Sequence, residues 1–559
     1  MRVRFGLAIL IMGGCVRSAP GQGLVLLREL RGESARDVFG AMLAATGDLD
    51  GDGVPDFVIG TRDNLPPHRN FVRAYSGRSG TVLFEHSEGA TWEGFGFAVS
   101  DGGALSADGS REVLVGAPLA AGGGRVDAFN GRDGALRRSY SRGLALDEFG
   151  GAIAAVGDVD GDGLDDFVVG SSHADVNGDS TGSVRVLRGV DGAELHAWHG
   201  SSAGDSLGGA VAGIGDVDHD GHADVLASAV NASTDGTRSG AVFLFSGATG
   251  AVLGRWTGES RGDKFGRALT SLGDLDSDGV SEFAVGAPGN DANGTDSGAV
   301  YVFSISASEP RVVIRGARPT AQLGFSIGAL GDVDRDGVPD WTAGANLDDV
   351  GGSPDDDSGS AHVYSGVDGH EIASLSGSRG ERVGTAVAGV GDVDGDGTPD
   401  WLVSGSSTAA ADTRGVVRLY SLAGCAPCGG AANSACRGRL SSAGIPSVTG
   451  DPVVLRAEGL PARTVAMCLQ IGAPSVTPGR GAFAGGAWDV GDRVVRVWID
   501  AAATDPRSCG APLERPLSKR SQVRPGDVWR CELRFRDVAR TCGAAPLRCT
   551  NSVTLVWGV

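Results

Sequence analysis

Cysteine is absent from the long middle of this 559-residue chain, where none of the nine cysteines lies between Cys15 and Cys425. Lysine is almost absent as well, since only Lys264 and Lys519 contribute to the 48 basic residues and the others are arginine. Aromatic residues make up 6% of the sequence. A region without cysteine has no thiol nucleophile, no cysteine-bound metal and no disulfide, so other residues must stabilise it.

Long apolar runs and a zinc-protease motif are also missing. After the N-terminus no segment reaches the ~18 apolar residues that span a membrane, while an apolar content of 41% excludes general disorder. The nine histidines are scattered, and no HExxH motif occurs. The sequence therefore favours a non-catalytic protein. A glycan-active or phosphodiester enzyme, whose acids and bases converge only after folding, stays open as an alternative.

An acidic loop recurs along the chain with the pattern D-x-D-x-D-G-x-x-D/E. A further copy keeps the frame of the loop but has lost its leading acids. The first loop positions are Asp48, Ala104, Asp158, Asp216, Asp274, Asp332 and Asp392, with spacings of 56, 54, 58, 58, 58 and 60 residues. Self-similarity at so regular a period indicates a repeat architecture.

Each repeat is composed of short strands. In the fifth repeat FGRALTSLG precedes the acidic loop, and EFAVGAP, GAVYVFSI and RVVIRG follow it. These runs are β-branched or alternating, and turn residues separate them. Four strands in each of seven repeats predict an all-β, seven-bladed β-propeller over residues 23–422. Because the seventh repeat ends near RGVVRLYSL without a fourth strand, we expect GLVLLREL, which begins at Gly23, to complete the last blade.

Short motifs in these repeats carry a resemblance to a known family. FG dipeptides, DxDxDGxxD loops and VGAP tetrapeptides occur, with FG at Phe39-Gly40, Phe149-Gly150 and Phe265-Gly266, and VGAP at 115–118 and 285–288. They resemble FG-GAP repeats, which build the seven-bladed propeller of integrin α subunits and of many bacterial exported proteins. The resemblance implies calcium in each intact loop, and a recognition or adhesion role rather than a defined chemistry.

The chemistry of the loop agrees with that implication. Carboxylates at positions 1, 3, 5 and 9 converge if the glycine at position 6 permits a sharp turn. A calcium ion, which takes about six to eight oxygens, removes their repulsion, and the carbonyl of position 7 adds one more oxygen. We predict six calcium sites: Asp48, Asp50, Asp52, Val54 and Asp56; Asp158, Asp160, Asp162, Leu164 and Asp166; Asp216, Asp218, Asp220, His222 and Asp224; Asp274, Asp276, Asp278, Val280 and Glu282; Asp332, Asp334, Asp336, Val338 and Asp340; Asp392, Asp394, Asp396, Thr398 and Asp400.

The second repeat is the exception. It offers only Asp108 and Glu112, with Ala104 and Ser106 at positions 1 and 3, so its site is predicted to be empty. In the third loop Asp165 is the acid left over, and we expect it to face solvent. A metal-free Asx turn explains one or two acids in a turn but not four at the same positions six times. Magnesium fits less well, because it prefers near-ideal octahedra with several waters.

The N-terminus is typical of an export signal. Arg2 and Arg4 precede an apolar segment from Phe5 to Met12, and small residues follow, which predicts a signal peptide over residues 1–22. APG before Gln22 is an acceptable cleavage site, whereas MGGC ending at Cys15 resembles a lipoprotein box with an unusual methionine. Release and a lipid anchor at Cys15 both stay open, and in either case we expect a secreted or cell-surface protein.

The other eight cysteines all lie in residues 423–559. An even set confined to one segment of an exported protein predicts disulfides. The alternative is that CAPC, at Cys425 and Cys428, is a redox pair or half of an all-cysteine zinc site. VWRCELRFRD and SVTLVWGV alternate apolar and polar residues, so we expect a small, disulfide-containing, β-sandwich-like domain here.

The direction of the hairpins predicts where a partner binds. The acidic loops join first and second strands and lie on one face, so the longer loops at 171–182, 287–298 and 346–359 emerge on the other. Loops on a rigid scaffold are the usual place for binding, and we expect an unknown extracellular protein or glycan there. No nucleic acid partner is expected for a chain of net charge −21, whose first 422 residues carry 31 Arg or Lys against 59 Asp or Glu.

One tempting motif, RGD at 261–263, fits the repeat instead. Asp263 stands two residues before Phe265, as Asp147 stands two residues before Phe149. The chain as a whole is predicted to be a calcium-binding recognition or adhesion module outside the cell. A structural component of the envelope or matrix is the second reading.

Overall fold

Most strands of the chain gather into seven four-stranded sheets. The structure, a computed structural model, describes residues 24–33, 38–62, 70–87, 92–142, 147–233, 238–353, 356–406 and 414–422, and the backbone of seven strands between residues 439 and 558. Each of the seven sheets is an antiparallel meander in which neighbouring strands pair. The described residues contain no α-helix, and the predicted seven-bladed, all-β propeller is confirmed.

The blades follow one another along the chain. Blades 1 to 3 comprise Met42–Thr46, Asp56–Gly60, Phe71–Tyr75 and Val82–Ser87; Val99–Gly103, Glu112–Ala117, Arg125–Asn130 and Leu136–Tyr140; Ala152–Gly157, Asp166–Ser171, Ser183–Leu187 and Glu194–His199. Blades 4 to 6 comprise Leu207–Gly215, Asp224–Ala229, Ala241–Phe245 and Val252–Thr257; Leu269–Gly273, Glu282–Ala287, Ala299–Phe303 and Val312–Arg315; Leu323–Gly331, Asp340–Ala345, Ser360–Tyr364 and Glu371–Ser376. Blade 7 comprises Val383–Gly391, Asp400–Gly405, Val416–Ser421 and Val25–Arg31.

The N-terminal strand closes the ring, as predicted. Val25–Arg31 pairs antiparallel with Val416–Ser421 and forms the fourth strand of blade 7. The Nε of Arg418 donates a hydrogen bond to Glu29 across this pair at 2.9 Å. The first strand of every blade contacts the first strand of the next, and blade 7 meets blade 1 in the same way. The first strands therefore surround a central channel.

The hydrophobic core is divided among the blade interfaces. The described residues form seven buried clusters, and each draws its side chains from two consecutive blades. At the closure, Phe39 and Phe57 of blade 1 pack with Leu402 and Val417 of blade 7. Because each blade buries both faces of its sheet, the second strands are buried along their whole length.

The FG and GAP motifs meet where two blades approach. Gly286, the glycine of GAP in blade 5, lies so close to Gly324 of blade 6 that an added Cβ would overlap the Gly324 carbonyl oxygen. Gly324 has a φ of 87°, which L side chains rarely adopt. The two glycines therefore permit close packing of neighbouring sheets. The equivalents of Gly324 all have φ between 83° and 94°: Gly40, Gly96, Gly150, Gly208, Gly266 and Gly384.

Seven strands beyond the propeller form sheets of their own. They are Arg439–Ala443, Val453–Glu458 and Leu469–Ile471 in one sheet, Ala484–Val490 with Arg493–Ile499, and Val528–Arg536 with Thr550–Gly558. The last pair contains the two alternating segments that were expected to be strands. The signal peptide, Cys15 and all other cysteines except Cys531 lie outside the described residues, so export, disulfides, the sandwich and the domain limits stay predictions. No helix among the described residues is long and apolar enough to cross a membrane.

Candidate metal centres

The six acidic loops join the first and second strands of six blades, and each folds around its first carboxylate. Asp158 Oδ1 accepts hydrogen bonds from the amides of Gly161 at 2.7 Å and Asp162 at 3.1 Å, and its Oδ2 accepts one from Gly163 at 2.9 Å. The sharp turn predicted at position 6 is present in every loop. The φ angles there lie between 83° and 93°, at Gly53, Gly163, Gly221, Gly279, Gly337 and Gly397.

Position 7 lies against the carboxylate of position 5 in all six loops. Its backbone amide donates to Oδ1 of that aspartate at 2.9 to 3.0 Å. The donors are Val54, Leu164, His222, Val280, Val338 and Thr398, and the acceptors are Asp52, Asp162, Asp220, Asp278, Asp336 and Asp396. These hydrogen bonds hold position 7 beside the carboxylate of position 5.

The acid at position 9 is buried at the start of the second strand. One of its oxygens accepts a hydrogen bond from the amide of position 2 at 2.6 to 2.9 Å in each of the six loops. In four loops the other oxygen accepts from a glycine of the turn between the third and fourth strands, as Asp166 does from Gly189 at 2.9 Å. This carboxylate therefore ties two turns of one blade together.

The fold brings the first, third and last acids of a loop together. Ligand atoms within 4.8 Å of one another are offered by Asp48, Asp50 and Asp56; by Asp158, Asp160 and Asp166; by Asp216, Asp218 and Asp224; and by Asp274, Asp276 and Glu282. In blade 6 the set is Asp332, Asp334 and Asp336. Such a set of carboxylate oxygens could hold a metal ion, and an all-oxygen site suits a hard cation.

Two loops contain a buried carboxylate oxygen that lacks a hydrogen-bond partner among the described residues. Glu282 Oε1 and Asp400 Oδ1 are buried and have no hydrogen-bond partner among the described residues. In these two loops no turn glycine donates to the position 9 acid within the part of the chain that is described. A buried carboxylate oxygen without a partner is costly. A cation at the centre of each of these two loops would satisfy the unpaired oxygen there, so the residues fit a metal.

The electrostatics of the position 9 acids point the same way. Burial raises the pKa of Asp166 and Asp340 to about 6 and that of Asp400 to about 7. Burial also raises the pKa of Asp56, Asp224 and Glu282 above the ordinary range, and neighbouring carboxylates of the same loop add to the shift. Ionised acids in these places repel one another, and a bound cation would remove that cost.

The second repeat holds its acids differently, and here one sequence prediction is wrong. Asp165 does not face solvent. It is half-buried, and its Oδ2 accepts a hydrogen bond from the amide of Ala104 in blade 2 at 2.7 Å. Within the second loop Ser106 Oγ donates to Glu112, and Arg137 pairs with Asp108 at 2.8 Å. The acid left over in blade 3 therefore contacts the loop that lacks its own leading acids.

Sequence reasoning also missed three arginines at the edges of the loops. Arg78 pairs with Asp52 at 2.9 Å, and Arg188 pairs with Asp160 at 2.6 Å. A third arginine, Arg311, approaches Asp276 at 3.6 Å. Arg78 and Arg188 lie at the turn between the third and fourth strands of the same blade as the acid. Because the hairpin parity puts that turn on the face of the acidic loops, the turn sequences offered a signal.

The RGD aspartate belongs to the fold, as predicted. Asp263 is 1% exposed, and its Oδ2 accepts a hydrogen bond from the amide of Ser260 at 2.8 Å. Asp205 holds the same place in blade 4 and accepts from the amide of Ser202 at 2.9 Å. A buried carboxylate of this kind is not presented to a cell-surface receptor.

The face opposite the acidic loops carries the long loops and a cleft. The loops at 171–182, 287–298 and 346–359 join second and third strands, so the predicted placement is confirmed. A cleft of about 490 Å³ lies where blades 2 and 3 meet, and its lining includes Pro118, Glu148, His173, Asp175 and Asp179. In this cleft His173 Nδ1 is 2.9 Å from Glu148 Oε2.

Comparison with known proteins agrees with this architecture. A family model for the FG-GAP repeat matches residues 149–187 and 265–303, which lie in blades 3 and 5. Integrin alpha-5 of Xenopus laevis is 31% identical over 219 residues, covering 36% of this chain and 20% of that protein. Integrin alpha-IIb of Homo sapiens is 33% identical over 216 residues, with the same coverage.

Integrin alpha pat-2 of Caenorhabditis elegans is 31% identical over 223 residues, covering 35% of this chain and 18% of that protein. The chain spans about a fifth of the length of the curated relatives it matches. The matched motifs, the seven sheets and the closing strand lead to one conclusion. This chain contains FG-GAP repeats, folds into a seven-bladed β-propeller and is similar in sequence to integrin α subunits.

Proposed function

We propose that this protein is an exported, calcium-binding β-propeller that acts as a non-catalytic recognition or adhesion module at the cell surface or outside the cell. The observation that carries the proposal is that the two faces of the propeller differ in structure. Carboxylate clusters brace one face, and long loops with a cleft occupy the other. The similarity to integrin α subunits supports a role in adhesion. The propeller of residues 23–422 and a disulfide-containing domain of residues 423–559 are parts of the proposal.

Calcium is the cation that fits the loops best. Six sites would each be formed by the acids at positions 1, 3, 5 and 9 and the carbonyl of position 7. An acid-rich loop of this kind suits the larger ion, whose coordination geometry is adaptable, whereas magnesium demands a near-ideal octahedron. By supplying positive charge where three carboxylates converge, calcium would hold the first hairpin of each blade rigid.

Calcium stoichiometry of the purified full chain tests the six proposed calcium sites. We expect six ions, a melting temperature that falls in chelator, and five ions in Asp158→Asn. The matched control is Asp108→Asn, which changes an acid of the second loop and should leave six. If the wild-type chain binds no calcium, or if Asp108→Asn loses an ion, the assignment of sites is wrong.

Binding to arrays of extracellular proteins and glycans tests the recognition role. We expect a partner that binds in calcium and is lost in chelator, because the loops of the opposite face depend on a rigid scaffold. Substitutions that line the cleft, such as Asp179→Ala, should weaken binding without lowering the melting temperature. Retained binding after unfolding of the propeller in chelator would contradict the proposal.

The geometry of the cleft favours recognition over catalysis. Ser180 stands in a G-x-S-x-G spacing, from Gly178 to Gly182, but it lies in a loop between two strands, without the strand-to-helix turn of a nucleophile elbow. Both Glu148 Oε2 and Ser172 Oγ approach the same ring nitrogen of His173, at 2.9 and 3.2 Å. A serine–histidine–acid relay needs them on opposite nitrogens. Turnover of a polysaccharide or phosphodiester panel would overturn the non-catalytic assignment.

A further inference from the structure

Two arginines lie at the mouth of the central channel, on the face of the long loops. Arg267 directly follows the glycine that opens blade 5, and Phe97 and Phe325 hold the same place in blades 2 and 6. These three residues therefore hold equivalent positions at the start of three of the first strands that surround the channel. Arg62 comes from blade 1, where it follows the second strand on the same face.

Each guanidinium is stacked on an aromatic ring rather than paired with an acid. The Cζ of Arg62 lies 3.9 Å from the centre of the Phe97 ring, and that of Arg267 lies 4.6 Å from the centre of the Phe325 ring. Both side chains are half-buried, and neither has a salt bridge or hydrogen bond within the described residues. The Nε of Arg62 is buried without a partner there. Stacking covers one face of a guanidinium and leaves the donors at its edge for an acceptor.

The charges around this pair leave it positive. Burial lowers the pKa of Arg267, and the nearby charge of Arg62 lowers it further. Burial also lowers the pKa of Arg62, against which the carboxylate of Glu148 acts. Glu148 is in turn held by His173. Arginine stays ionised in proteins, so two cations share a half-buried site without a full counter-ion, an arrangement that is costly unless an anion binds.

The negative charge of the rest of the propeller favours some anions over others. The first 422 residues carry 59 acids against 31 basic residues, so a polyanion such as a sulfated glycan is repelled at long range. A single carboxylate on a neutral or basic segment escapes most of that repulsion. A carboxylate also matches the planar fork of a guanidinium.

We propose that the channel mouth binds a carboxylate side chain presented by a segment of a protein partner, with Arg62 and Arg267 as its hydrogen-bond donors and Phe97 and Phe325 as the platforms that orient them. The proposal rests on the recognition function above, because it names the chemistry of the partner's contact. It differs from the cleft of blades 2 and 3, whose lining includes three acids and His173 but neither arginine.

Binding of two short peptides to the calcium-loaded full chain tests it. The probes are acetyl-Gly-Glu-Gly-amide and its glutamine twin, titrated at constant ionic strength and measured by calorimetry and thermal shift. We expect only the glutamate peptide to bind, with a Kd at least about tenfold weaker in the double variant Arg62→Gln/Arg267→Gln, since two charge-assisted hydrogen bonds are lost. Without peptide the double variant should melt no lower than wild type, because unpaired charge has been removed. The matched control is Arg255→Gln, which removes a similar stack on Phe243 at the blade edge and should change nothing.

Three results of these measurements would overturn the inference. Equal binding of both peptides, an undiminished Kd in the double variant, or a variant that melts lower than wild type would each contradict it. If a heparin tetrasaccharide binds through the two arginines and the glutamate peptide does not, the site takes a sulfated glycan instead. If an array partner is found whose binding ignores Arg62→Gln/Arg267→Gln, this inference fails while the recognition function stands. If no array partner is found, the peptide titration still decides the site.

Discussion

Replacing Asp165 with alanine removes the carboxylate that blade 3 extends to the loop of blade 2. Ala104 then loses the acceptor for its half-buried amide, which now lies 2.7 Å from Asp165 Oδ2. A hydrogen bond to a charged group contributes about 1.5 to 3 kcal/mol, and a middle value of about 2 suits a site that is only half-buried. Alanine already stands at the equivalent place in blade 4, at Ala223, so the substitution introduces no clash. A loss of about 2 kcal/mol corresponds to roughly 30-fold faster amide exchange if Ala104 exchanges by local opening.

Hydrogen exchange of a peptide covering residues 99–115, with urea unfolding beside it, measures the effect. Asp165→Asn keeps an acceptor oxygen but no charge, so its exchange should lie between those of wild type and Asp165→Ala. Glu309→Ala, on the exposed surface, should leave Ala104 unchanged. The acceleration should persist in chelator, because Asp165 acts on blade 2 directly. Less than about threefold acceleration, or an effect that disappears in chelator, would refute the reasoning.

Three other substitutions or conditions give distinct outcomes. Gly286→Ala should lower the free energy of unfolding in urea by about 3 kcal/mol, because its Cβ would overlap the Gly324 carbonyl oxygen; an unchanged free energy of unfolding would show that the blades do not meet there. Asp263→Ala should destabilise the propeller while Arg261→Ala should not, and Arg261→Ala should leave attachment of cells unchanged in an adhesion assay, because the RGD triplet belongs to the fold. Burial raises the pKa of Asp400 to about 7, so without calcium the folded chain binds more protons than the unfolded chain between about pH 4 and 7, and stability falls as pH rises through that window. The melting temperature of calcium-free protein should thus be lower at pH 8 than at pH 5.5, with a smaller difference in Asp400→Asn; a reversed trend would contradict the assignment of the shift to burial.

Local and repeated features of this fold could be predicted from the sequence. The acidic loop, its sharp turn and the strands around it belong to one hairpin. The same pattern occurs six times in the sequence, which makes the prediction of this hairpin secure. The closing strand was predictable because blade 7 visibly lacked one, and Val25–Arg31 supplies it. The face on which the long loops lie follows from the direction of the hairpins alone.

Contacts between repeats could not be predicted in this way, because they depend on the rotation from one blade to the next. Asp165 was expected to face solvent as long as its loop was considered by itself, yet it lies beside Ala104 of another blade. Arg62 occupies the place where two other repeats have the proline of GAP, which is a visible departure. Only the ring brings it onto Phe97 and near Arg267.

The closing strand also determines how the propeller comes apart. A linear stack of repeats frays from its ends, because each terminal repeat has one neighbour. Here Glu29 and Arg418, 389 residues apart, meet in the same sheet, so no blade is terminal. To release any blade, two hydrophobic interfaces must open together, which favours unfolding as one cooperative event. The same closure places the two ends of the propeller side by side, so the ring should tolerate circular permutation at a long loop, with the closing strand joined directly to its partner.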